Sequence, residues 1–155
     1  MLDIRLDLSE LEGEHKRVSQ GIADACLAGV LGATSAGVVE ARRVAGWQDR
    51  TGAARRSIKR TIIASDAGGT TGRIEAGGAT APYAPLHETG TRPHEIRARR
   101  VPDLVFWWEK VGALFVGKKV NHPGTRPYPF MGPAYLAAER RLRAVIEGAL
   151  AKLAG

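Results

Sequence analysis

Four prolines, at positions 123, 127, 129 and 133, fall within eleven residues, and no other feature restricts the possible folds of this chain so tightly. Proline lacks a backbone N–H and holds φ near −65°, so neither a helix interior nor a central strand passes through such a stretch. The segment must run as a stiff, extended connection, and regular elements have to lie before or after it. The C-terminal residues beyond it read as a helix. Pro133 suits a first helical position, and Ala138, Leu142, Val145, Ile146, Ala149 and Leu153 recur at helical spacing, opposed by Glu139, Arg140, Arg143 and Lys152.

At the other end, Leu2, Ile4, Leu6 and Leu8 alternate with Asp3, Arg5 and Asp7. That predicts a short half-buried strand, or an arm that becomes one by pairing with a neighbour. Ser9 and Glu12 then form a capping box. Leu11, Val18, Ile22, Ala25, Cys26, Val30 and Ala33 mark a helix reaching Ala45. Unbroken, it spans roughly 54 Å. Gly29, Gly32 and Gly37 suggest a bend or break, since each costs about 1 kcal/mol relative to alanine.

Beyond a turn at 49–52, residues 57–63 and 73–76 read as a hairpin across a glycine-rich loop at 68–72. Residues 83–88 read as one helical turn closed by Gly90. Residues 94–97, 104–108 and 113–120 read as three more strands, with Gly112 and Gly117 at turns or bulges. Helices at both ends and no crossover helix between strands predict an α+β protein with an antiparallel sheet. At 155 residues one domain is expected, with an arm and long helix over 1–48, a β region over 49–132 and a closing helix over 133–155.

The single cysteine excludes an internal disulfide and a Cys-rich zinc site, and Cys26 reads as a small apolar filler. The first eight residues lack a signal peptide's apolar run, and no stretch is read as reaching transmembrane length. A protein made in the cytoplasm, or assembled there into something larger, is expected, with no membrane partner. Lys and Arg number 23 against 16 Asp and Glu, for a formal charge of +7, which favours an acidic partner, either nucleic acid or protein.

His87-Glu88, His94-Glu95 and His122 invite a zinc hydrolase, as would act on the cell envelope, but the His-Glu-x-x-His spacing is missing. The glycines at 68–72 precede neither the Lys-Ser/Thr pair nor the helix of a phosphate loop. No enzyme, metal or cofactor is expected. Arg92, Arg97, Arg99 and Arg100, near Trp107 and Trp108, have the composition of a single-strand binding face, so a small basic DNA-binding protein is the alternative. A strand through Trp107 and Trp108 sends the rings to opposite faces, which places at least one in the core. Arg97, Arg99 and Arg100 are too charged to be buried together and should be exposed. Arg140, Arg141 and Arg143 read as a solvated face.

Two segments repeat a Gly-Thr-Arg-Pro core, at 90–93 and 124–127. The first carries Tyr83, Ala84, Glu88, Gly90 and Thr91, with Glu88 and Arg92 spaced for a local ion pair. The second carries His122, Pro123, Gly124 and Thr125, then Tyr128, Pro129, Phe130, Met131, Pro133 and Ala134. Between them run Pro93-His94-x-Ile96 and an apolar strand with Leu104 and Phe106. Upstream stand Arg50-Thr51-Gly52 and Arg56-Ser57-Ile58, with Ala54 at a position where leucine is common. In this order, over residues 49–140, the motifs resemble the tail-component family of long-tailed double-stranded DNA phages, whose members act in the neck as head–tail connector or tail-completion proteins.

The resemblance implies a structural virion protein, part of a homo-oligomeric ring around the DNA channel, six-fold in preference to twelve-fold. Its neighbours would be head-connector and tail proteins, with double-stranded DNA passing close by. It leaves two roles open for Phe130: a plug in the core where the last helix docks, or an anchor on a neighbouring subunit.

Overall fold

The computed structural model describes residues 9–48, 50–66, 69–109 and 111–154; the alternating segment at 2–8 and the side chain of Leu153 lie outside this set. Among the described residues there are four helices and six strands. These are α1 (Ser9–Val44), α2 (Ala53–Ser57), β1 (Lys59–Asp66), β2 (Gly69–Glu75), α3 (Ala84–Thr89), β3 (His94–Arg97), β4 (Leu104–Trp108), β5 (Ala113–Gly117), β6 (Lys119–His122) and α4 (Met131–Ala154). The class is α+β, as expected.

The glycines of α1 do not break it. A side chain at Gly37 would collide with Ile74 of β2 and reach 2.9 Å from the carbonyl of Ala134, so this is where α1, β2 and α4 close on one another. Gly29 similarly lies against Leu142 and Val145. Helix propensity is given up for close approach, and packing recovers it. The two contacts set α4 antiparallel to α1. In that register α4 ends at about residue 19 of α1, since both helices rise equally per residue, and the first turns of α1 extend past it.

By length and composition α1 is apolar enough to cross a membrane, which corrects the reading that no stretch reaches that length. Its apolarity lies between Asp24 and Glu40, and within this run Gly29, Ala33, Thr34, Gly37 and Val38 are buried.

The strands form three two-stranded antiparallel pairs rather than one sheet. β1 and β2 make a hairpin closed at Asp66 and Gly69, with an irregularity between Ile62 and Ala64. Gly69 to Gly72, read as loop, belong to β2. β3 pairs with β6 and β4 with β5, so β4 and β5 sit inside the β3–β6 pair, and residues 94–122 form one two-stranded arm. A bond from the Ala98 amide to the Lys118 carbonyl (2.9 Å) joins its two sections. The expected strand at 113–120 is divided at Lys118 because its two halves have different partners. At the tip, Arg50 reaches Glu109 at 3.6 Å.

The core gathers where the second half of α1 meets α2, α3 and the start of α4. It comprises Val38, Ala41, Ala45, Trp47, Ala54, Ile58, Ala81, Ala84, Phe130 and Ala134, with Phe130 and Ile58 the largest fully buried side chains. The core tryptophan is Trp47, not Trp107 or Trp108. Trp107 is 61% exposed, and Trp108 packs only at half burial, on Phe106 and Phe115. Cys26, expected as a filler, is exposed.

α2 was not foreseen. Thr51 Oγ1 accepts the Ala53 amide (3.2 Å), Gly52 turns the chain at φ 72°, and the Gly52 carbonyl accepts the Arg56 amide (2.9 Å). Arg55 then reaches back to the carbonyls of Arg42 and Ala45, satisfying the C-terminal end of α1. The Arg-Thr-Gly…Arg-Ser-Ile stretch is therefore a short helix that caps a long one. Ser57 completes it by donating to the Ala54 carbonyl (2.6 Å) and accepting the Gly77 amide (3.0 Å).

Candidate functional site: a clasp of two repeated motifs

The two Gly-Thr-Arg-Pro segments pair with each other. The Thr91 amide donates to the Thr125 carbonyl (3.0 Å), the Thr125 amide donates to the Thr91 carbonyl (3.1 Å), and the two hydroxyls meet at 3.0 Å. The exchange is reciprocal, as across a local two-fold axis. Glycine is needed on both sides. Gly90 and Gly124 have φ of 69° and 85°, a region that side chains disfavour. A Cβ on Gly90 would stand 2.5 Å from the Thr125 carbonyl oxygen, and one on Gly124 would overlap that of Thr91. Pro93 interrupts the ladder, which resumes in the same register at His94 and His122, and Pro127, with no N–H, does not extend it past Thr125.

Glu88 joins the clasp to α4. Its Oε2 accepts the backbone amides of Phe130 (2.7 Å) and Met131 (3.1 Å), which are among the unsatisfied donors at a helix start, where negative charge is also favoured. The local ion pair expected with Arg92 is not what engages this carboxylate: among the described residues Glu88 serves as a cap. The α4 helix consequently begins at Met131, and Pro133, expected as its first residue, is its third. The His87 carbonyl accepts the Tyr128 amide (2.7 Å), tying α3 to the Pro-rich segment once more.

Below these bonds Trp47 stacks on His87, with ring centroids 4.5 Å apart and planes 4° from parallel, and meets Phe130 edge-on at 5.0 Å. Phe130 is 1% exposed, so of its two expected roles it fills the core one within this chain. Tyr83 lies edge-on to His87 at 5.9 Å. His94 and His122 oppose each other in the β3–β6 register, 5.1 Å between rings. The Nδ1 atom of His122 accepts the Gly124 amide (3.0 Å). The histidines weighed for zinc thus stand in two separate packing roles. Pro123 and Pro129 are exposed on the outer side of the connection. The residue that sequence reasoning missed is Trp47. Its one local signal is a large aromatic placed just after a helix end, between Gly46 and the polar run from Gln48.

The basic residues lie elsewhere, at the joint of the 94–122 arm. Arg97, Arg99 and Arg100 are exposed, as expected. Arg97 pairs with Glu95, which also meets Lys119 at 3.3 Å. The Arg97 hydrogen bond first, then that of Lys119, holds the Glu95 carboxyl below the usual carboxylate range. Arg99 and Arg100 make no ion pair among the described residues.

The motif residues Tyr83, Glu88, Gly90, Thr91, His122, Gly124, Thr125 and Phe130 therefore form one latch that fixes α3, the arm and α4 around Trp47. Among the described residues, the outer half of α1, the arm and the arginines at its joint are exposed. Comparison with protein-family models, curated proteins and solved structures returned no match.

Proposed function

We propose that this chain is a structural component of the neck of a long-tailed double-stranded DNA phage, joining the head connector to the tail as one subunit of a ring around the DNA channel. The ordered motifs over residues 49–140 suggest the family. One physical observation carries the assembly reading: the chain exposes 11925 Å² of surface. A compact monomer of 16.6 kDa would expose about 7,600 Å². The excess, about 4,000 Å², is several times the ~800 Å² that one partner contributes to a standard interface. A ring subunit has neighbours on two sides and further ones above and below, and it needs surface on that scale. A six-fold ring is preferred because the motifs resemble proteins of the tail side of the joint.

The test is a map of the intact particle neck together with deletion of the gene. Deletion should leave DNA-filled heads and separate or incomplete tails. A map with no copy at the neck, or intact particles that fail only in packaging or lysis, would overturn the proposal. The charge of +7 and the exposed Arg99, Arg100 and Trp107 favour one alternative, a small basic DNA-binding protein. Monomeric behaviour together with steep loss of DNA affinity as salt rises would select it.

A further inference from the structure

Two of the exposed apolar surfaces of this chain have opposite shapes. One is convex. On the outer face of the β4–β5 hairpin, Val105, Trp107, Leu114 and Val116 are all close to 60% exposed, and β4 and β5 touch each other and little else. A two-stranded hairpin has little stability alone, and large apolar patches in the open mark contact sites. The other is concave. Between α1 and α4 runs a groove of about 800 Å³ whose lining includes Ile22, Ala25 and Cys26 from α1 and Val145, Ile146 and Leu150 from α4.

The groove lining itself carries one cation, Lys152, and the charge that complements the hairpin lies beyond it. Beyond the groove, α1 carries Leu11 and Val18 on the line of Ile22. At 3.6 residues per turn, Glu12 and Glu14 flank that line within about 80° on either side, while Lys16 and Arg17 point about 120–140° away. At the base of the hairpin stand the exposed Arg99, Arg100 and Lys118. Leu114 to Lys118 is roughly 13 Å along a strand, and Ile22 to Glu14 and Glu12 is roughly 12–15 Å along a helix.

We infer that the β4–β5 hairpin of one copy docks, Trp107 foremost, in the α1–α4 groove of the next copy, with Arg99, Arg100 and Lys118 against its Glu12 and Glu14. The contact joins unlike surfaces, so each subunit offers one and receives one, as ring closure requires. It rests on the homo-oligomeric part of the proposed function and assigns residues to it.

Cys26, the only cysteine, lies in the groove and serves as a reporter. A Leu114→Cys substitution adds a thiol to the hairpin. Treated with a short bis-maleimide, this full-length protein should give a ladder of dimer, trimer and larger species ending at one ring size. The wild type and the Leu114→Cys/Cys26→Ser protein, each with one thiol, should remain uncrosslinked. Val116→Cys replaces Leu114→Cys if the latter lowers the melting temperature. In the two-thiol background, Trp107→Glu and Ile146→Glu should each abolish the ladder. Mixed in equal amounts they should yield dimers and nothing larger, because one good hairpin and one good groove remain.

Dimers from a single-thiol protein, which mean like surfaces meet, overturn the inference. So do absence of the ladder at any concentration, failure of the mixed variants to pair, and protection of Cys26 in a protein that stays monomeric. A neck map with a ring but no ladder in solution removes this contact and leaves the neck assignment. A ladder with no copy at the neck does the reverse.

Discussion

Glu88 illustrates how one side chain changes meaning between sequence and structure. Next to Arg92 in a turn it reads as half of an exposed ion pair, worth under about 1 kcal/mol. In the fold it takes the two amides that start α4. Glu88→Ala should cost about 1–3 kcal/mol, because both donors lose their partner. Glu88→Gln, which keeps an acceptor without the charge, should cost about 1 kcal/mol; chemical denaturation of the three proteins measures the order, and an unchanged Glu88→Ala midpoint would remove the capping role. Phe130→Ala should cost about 3–5 kcal/mol as a cavity opens beside Trp47, seen as a large loss in melting temperature before any assembly assay. Glu95 gives a pH signature. Its carboxyl is depressed in the folded state by Arg97 and Lys119, so its pairing stabilises the β3–β6 section above the ordinary carboxylate range and is lost as pH falls through the lowered value. Carboxyl NMR titration should show a low midpoint that rises in Arg97→Ala.

Elements whose residues carry their own periodicity were legible in sequence. The start of α1 agrees with its capping box and helical spacing, and β3 and β4 with the strands read over 94–97 and 104–108, because those signals are local. α2 was not legible, since five residues held by Thr51, Gly52 and Arg56 have no periodicity to show. Nor was the division of 113–120: β5 pairs with β4 and β6 with β3, and a strand's partner is not written within it. The repeated Gly-Thr-Arg-Pro was visible, but its self-pairing depends on two segments 34 residues apart meeting in space. That pairing makes a testable element. Gly90→Ala and Gly124→Ala each combine a φ strained for alanine with overlap on the facing backbone, and each should cost more than about 1–2 kcal/mol. Because the two glycines pack on one shared exchange, the double variant should lose less than the separate losses added together. Simple additivity in urea unfolding would show that the segments hold their shape independently.

At the scale of the molecule, a small alanine-rich core supports two long helices and an arm with much of their surface exposed. Charge on this frame is segregated, with acids near the N-terminal end of α1 and arginines at the joint of the arm. In the proposed ring, Arg97, Arg99 and Arg100 either line the DNA path or grip a neighbour, and salt does not separate these, because both contacts weaken as it rises. Charge reversal does. If the arginines line the channel, the triple Glu variant should assemble normally and fail in DNA retention or passage. If they meet Glu12 and Glu14 of the next copy, joining itself should fail, and Glu12→Arg with Glu14→Arg in the same chain should restore it. On the proposed reading the neighbour role is favoured, because a joint protein must recognise its neighbours specifically while DNA need only slide past. Arg97 already pairs with Glu95, so its reversal also loosens the β3–β6 section. The Arg99→Glu/Arg100→Glu double variant isolates the surface effect, and joined, infectious particles from it would reduce these arginines to a solvated edge.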